Sequence, residues 1–224
     1  LRNQDLATLS GVSRAGFSTK KIDITYPLDG NIEKVIDEIA MIADTAAAEG
    51  CGYIILSDRS VGENRTAIPS ALIVSKVHQY LVETGNRAKV GLVVESGEPR
   101  EVHHFAVLLG FGADAINPYL AMDSIKIMLA DNTITINNVD CDPCAKAIEN
   151  YIEAINTGLI KIMSKMGIST IQSYKGAQIF EAVGLDNELV EKYFPGTSTK
   201  ISVINLKVIE NELKLRHGKA WPIR

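Results

Sequence analysis

Four times in its first 131 residues, this chain alternates a short apolar or β-branched run with an amphipathic stretch of helical spacing. No other feature of the sequence constrains its fold as strongly. "KKIDITYP" is a β-branched strand candidate closed by Pro27, and "NIEKVIDEIAMIADTAAAEG" follows with Ile32, Val35, Ile36, Ile39 and Ile42 on one helical face and Gly50 as a stop. "GYIILSD" is a continuous apolar run, the pattern of a strand buried on both faces. The helix "PSALIVSKVHQYLVETG" opens on Pro69, permitted in a first turn, and ends at Gly85. Strand "KVGLVVESG", helix "REVHHFAVLLGFG", strand "DAINPY" and helix "AMDSIKIMLAD" complete the series. Repeated units of this kind predict parallel strands at Lys21–Tyr26, Tyr53–Ser57, Val90–Glu95 and Ala115–Tyr119 with helices outside them.

Polar residues follow successive strands. Asp58 and Arg59 come after the second, Glu95, Glu98, Arg100, Glu101, His103 and His104 after the third, and Asn117 with Tyr119 after the fourth. In a barrel such loops converge on one rim, where sites are built. After a polar stretch from Asn132 to Pro143, the sequence predicts a long helix, "AKAIENYIEAINTGLIKIMSKMG", a short strand, "ISTIQSY", and a helix, "GAQIFEAVGL". The tail reads as helical through "NELVEKYF" and "LKVIENELKLRHGK", broken at "PGTST". About five strands are too few to close an eight-stranded barrel. The expected fold is therefore α/β, an incomplete (βα) barrel-like parallel sheet with flanking helices and a helical C-terminal segment.

The bulk numbers narrow the function. A net charge of −4 over 224 residues argues against a nucleic-acid surface, which needs a basic face. No run approaches the roughly 20 apolar residues of a membrane span. Three cysteines, Cys51, Cys141 and Cys144, fit a reduced cytosolic protein. "CDPC" has the spacing of a redox pair or half a zinc site, but zinc needs about four ligands and no second such pair exists, so a loop before a helix is the plainer reading.

The rim histidines point about 100° apart on a helix and do not chelate one metal as an i, i+4 pair does. Glu101 and His104 have the i, i+3 spacing of di-metal carboxylate sites, without the second motif such sites require. Ser57, Ser96 and Ser164 lie near acids or bases, yet no nucleophile-elbow motif occurs. "SKMGIST" and "SYKGAQ" could present backbone N–H groups to an anion, with Lys165, Lys175, Gln172 and Gln178 in support; a capped turn is the simpler account. Charges just beyond a buried strand must be paired. Arg59 or Arg100 is therefore expected to contact a rim carboxylate directly.

Longer blocks carry a resemblance. "IILSDR" with "IPSALIVSKVHQYLVETGNRAKVGLVVESGEPREVHHFAVLLGFGADAINPYLA" closely resembles the central domain of glutamate synthase. "SRAGFSTKKIDITYP" fits an earlier part of that domain, and "GLIKIMSKMGISTIQSYKGAQIFEAVGL" looks like the segment leading into the FMN-binding synthase domain. The resemblance implies residues 1–132 as the C-terminal part of the central domain and 133–224 as a linker with the N-terminal segment of the FMN-binding synthase domain. It implies a parent enzyme in which a glutaminase domain frees ammonia and a tunnel carries it to 2-oxoglutarate. FMN then reduces the imine to glutamate, with electrons from an iron–sulfur cluster.

Leu1 in place of Met implies a start within that longer protein, without the family's N-terminal cysteine nucleophile. The fragment itself is expected to supply an inter-domain scaffold near the ammonia path, with no catalytic, cofactor or metal residue of its own. Its expected partners are the glutaminase and FMN domains and an electron-donor subunit or ferredoxin, with no nucleic acid and no membrane, in the cytoplasm. The competing readings are a stand-alone βα enzyme binding a phosphorylated ligand and a scaffold module binding a protein partner.

Overall fold

The four strands read from the sequence pair in one parallel sheet. The structure, a computed structural model, describes residues 1–12, 14, 17–136 and 142–222. β1 (Ser18–Asp23), β3 (Cys51–Ser57), β5 (Gly91–Glu95) and β6 (Ala115–Asn117) lie side by side in that order. Their register sets Lys21 beside Ile55, Ile55 beside Val93 and Val93 beside Ala115. Two residues further along, Ser57, Glu95 and Asn117 form a row at the C-terminal ends.

Side-chain alternation along these strands separates two faces. Ile54, Leu56, Leu92 and Val94 pack into the main core with α2 (Ile32–Ala48), α3 (Ser70–Glu83) and α4 (Val102–Gly110). Ile55, Val93 and Ala115 face the other way and meet Leu6 and Leu9 of α1 (Asn3–Ser10), a helix the sequence reading did not contain. α1 lies across that second face. The Asn117 Nδ2 donates to the Leu1 carbonyl and to Asn3 Oδ1, both at 3.0 Å, and at the far edge Thr19 Oγ1 donates to the Leu9 carbonyl at 2.7 Å.

The first predicted strand is two. After β1 the Asp23 carboxylate accepts from the Thr25 amide and hydroxyl, both at 2.8 Å, and turns the chain. β2 (Thr25–Pro27) then pairs antiparallel with β4 (Arg65–Ala67). The fourth strand ends two residues before Tyr119, because Pro118 opens α5 (Tyr119–Ala130). The long helix is α6 (Pro143–Lys165), capped by Asp142.

Two elements after it differ from expectation. "ISTIQSY" is not a strand but holds the single turn α7 (Ile171–Tyr174), started by the Thr170 hydroxyl accepting from the Ser173 amide. "GAQIFEAVGL" is not a helix: it ends in strand β7 (Glu181–Leu185), which pairs parallel with β8 (Ser198–Ile204) across α8 (Asn187–Tyr193). The chain continues into α9 (Leu206–Ala220).

Candidate functional site

Glu95 ends β5 inside the sheet's polar row and is only 3% exposed. Its Oε2 accepts from the Ser57 hydroxyl and from Lys21 Nζ, each at 2.6 Å, and its Oε1 accepts from Arg59 Nε. Three neighbouring segments thus converge on one carboxylate: β1 through Lys21, the end of β3 through Ser57, and the loop beyond through Arg59. Burial pushes Glu95 up, but the hydrogen bonds from Lys21, Ser57 and Arg59 together outweigh it and hold the carboxyl below its ordinary range. The Arg59 guanidinium also lies over the Tyr119 ring, 4.1 Å from its centroid.

Asp58, equally buried, forms the second half of the rim. It accepts from the Ser96 hydroxyl at 2.6 Å and from the Gly97 amide at 3.0 Å, which draws the loop after β5 against the loop after β3. Burial, and then the Asp58 charge beside it, push the Tyr119 phenol up. Tyr119 therefore stays neutral throughout the physiological range.

This arrangement is poor catalytic equipment. The Ser57 hydroxyl points at a carboxylate, as a nucleophile would, but that carboxylate is held ionised by two cations and is a weak base. Ser57 is itself buried, only 3% exposed. Charge and hydrogen-bond complementarity here serve to bind strand ends to each other.

The remaining predicted residues divide among structural roles. Glu98 accepts from the Ser70 amide at 2.7 Å and hydroxyl at 2.6 Å, so it caps α3 from another loop. Arg100 does not reach a rim carboxylate; its amide donates to His104 Nδ1 at 3.2 Å and its carbonyl accepts from the Tyr151 hydroxyl at 2.9 Å. Glu101 and His104 form an exposed pair at 3.7 Å. His103 meets the Phe180 ring edge-on, with centroids 6.2 Å apart. Among the described residues no group of three His, Cys, Asp or Glu side chains could hold a metal. Cys144 lies in the first turn of α6, and Cys141 lies outside the described residues, so the "CDPC" reading is not carried further. In the suggested anion loop, Lys175 is paired with Asp114, and the α7 helix behind it is a single turn.

A second polar cluster, at the other end of the sheet, was not read from the sequence. Asp114 accepts from the Leu92 amide at 2.7 Å and from Arg87 Nη2 at 2.8 Å as well as from Lys175. Arg87 Nε in turn donates to His78 Nδ1 at 2.9 Å. Burial first, and then the Arg87 charge, push His78 down to about 4, so it is a neutral acceptor near pH 7. A cavity of about 300 Å³ beside β6 is walled chiefly by Phe105, Leu109, Ile116, Ile155 and Leu159 and has neither Glu95 nor Asp58 in its lining.

Sheet, capping helix and rim define an α/β domain whose polar row is closed by its own hydrogen bonds and ion pairs. The family described as "Glutamate synthase central domain" matches residues 1–186, and the chain belongs to that family. It is 41% identical over 99% of its length to the glutamate synthase [NADPH] large chain of Bacillus subtilis, covering 14% of that protein. It is 40% identical over 93% of its length to the glutamate synthase [NADH] of Saccharomyces cerevisiae, covering 10%, and 36% identical over 96% to ferredoxin-dependent glutamate synthase 2 of Synechocystis, covering 14%. The chain thus spans 10–14% of the length of these relatives. Among solved structures it is similar to a flavocytochrome b2, with a TM-score of 0.46 and 18% identity over 61% of this chain and 31% of that one, a likeness too slight to bear on function.

Proposed function

We propose that this chain is the inter-domain scaffold of a glutamate synthase polypeptide and performs no chemistry of its own. The parent makes glutamate from glutamine and 2-oxoglutarate, passing ammonia between a glutaminase domain and a flavin domain that uses FMN and an iron–sulfur cluster. Its electrons come from an electron-donor subunit or ferredoxin, and it works in the cytoplasm. In this reading residues 1–132 form the sheet-bearing part of the central domain, and 133–224 lead toward the flavin domain.

The observation that carries the reading is the closed state of the rim: the buried carboxylates of Asp58 and Glu95 are each engaged by donors from this chain. The test compares the isolated chain with the full-length polypeptide. The parent is expected to form glutamate from glutamine and 2-oxoglutarate. The isolated chain is expected to turn over neither substrate and to purify without flavin absorbance. A flavin-bound or glutamate-forming fragment would sink the reading.

A further inference from the structure

The β7–β8 ribbon leaves one face bare. Val183 is 67% exposed, Ile201 53% and Val203 70%. Their exposure puts these side chains away from the core, in a ribbon whose register shifts on both sides of Gly184. Ser202, between Ile201 and Val203, turns toward α8, where its hydroxyl accepts from the Asn187 amide at 3.2 Å. Ala182 and Leu185, on either side of Val183 and Gly184, pack on the main core. The inner face is therefore covered in part, through Ala182 and Leu185, while Ser202 stays exposed, and the outer face carries three branched apolar side chains. At its margin Lys200 and Glu181 form an ion pair at 2.8 Å, so a polar rim flanks the apolar centre.

β7 and β8 run parallel. Parallel strands occur almost only with both faces covered, and a two-stranded ribbon is marginal by itself. Clustered apolar side chains with a polar rim mark a contact surface. On the reading of this chain as one stretch of a glutamate synthase polypeptide, the greater part of that polypeptide lies outside it, since the stretch is 10–14% of the relatives' length. We propose that the outer face of the β7–β8 ribbon, centred on Val183, Ile201 and Val203, docks an apolar face of another domain of the same polypeptide. The ribbon is then a seam between domains, with covered sides in front and behind.

The experiment uses the full-length polypeptide. A photoreactive benzoylphenylalanine is placed at position 201 or, separately, at 203, and the cross-linked peptides are sequenced by mass spectrometry. Cross-links from both positions to segments of the same polypeptide outside residues 1–224 are expected. In a Val183→Cys variant, maleimide labelling is expected to be at least about tenfold slower in the native protein than after unfolding. Cross-links only within residues 1–224, cross-links only to a second copy, or native labelling as fast as unfolded labelling would each overturn the docking. Those outcomes leave glutamate formation by the parent intact. A native polypeptide of only 24.3 kDa would overturn the parent reading together with the seam.

Discussion

Glu95 is where the stability of the rim is concentrated. Replacing it with alanine removes the acceptor for Ser57, Lys21 and Arg59 at once. The two cations are half-exposed and recover water, but Ser57 is buried and loses its partner. Glu95→Ala is therefore expected to lower stability by about 1–3 kcal/mol, the usual cost of stranding a buried polar group. A melting curve on the chain, beside a rate measurement on the same change in the full-length polypeptide, checks it. Unchanged stability with lost parental activity would show that the rim does chemistry.

The pH dependence follows from the direction of the shift. A carboxyl depressed in the folded state contributes stability above its unfolded value, near 4.5, and loses it as pH falls through the folded value. Wild type and Glu95→Gln should differ in melting temperature at neutral pH and converge on acidification below about pH 4.5. A gap that persists at the lowest pH would contradict the assignment. At this scale the sequence was partly legible. Burial beyond "GLVVE" demands a counter-charge, and Arg59 supplies it. Lys21 was not seen as a partner, because nothing short of strand register places it beside Ile55, two positions from Ser57 and on the same face of the sheet.

Elements were read well where periodicity was long and poorly where it was short. The seventeen-residue α2 and the buried β3 and β5 have unmistakable periods. Between Ile168 and Leu185 the signals conflict. The Thr170 cap outweighs the β-branched residues around it and makes a turn of helix, while "EAVGL" has helix-forming residues but is drawn into a strand by β8, thirteen or more residues away. α1 was missed because two leucines make a weak stripe, and its role depends on the sheet face beneath it.

Helix packing depends on one glycine. A Cβ at Gly158 in α6 would lie 2.4 Å from Cγ2 of Val102 in α4, a short, stiff side chain that cannot swing away. Gly158→Ala gains about 1 kcal/mol of helix propensity, yet overpacking costs about 1–3 kcal/mol. The expected net result is destabilisation, relieved when Val102→Ala is added. A double-mutant cycle by denaturant unfolding tests this, and additive effects of the two changes would refute the contact.

The whole molecule divides by how its β-structure is covered. In the four-stranded sheet, β3 and β5 are interior strands with helices α2–α4 on one face and α1 on the other. Ile54, Ile55, Leu56, Leu92 and Val94 are fully buried there, and their backbone bonds open only when the domain does. The β7–β8 ribbon has two strands, one partly covered face and a register broken on both sides of Gly184. Its amides need only a local opening to meet water. In hydrogen exchange of this chain, amides of residues 54–56 and 92–94 are therefore expected to follow global unfolding. Those of 199–203 should exchange at least about 100-fold faster, a difference in opening free energy of about 2.7 kcal/mol. Equal protection of sheet and ribbon would show that the bare face contributes nothing to the ribbon's weakness, and that the ribbon opens only with the whole domain.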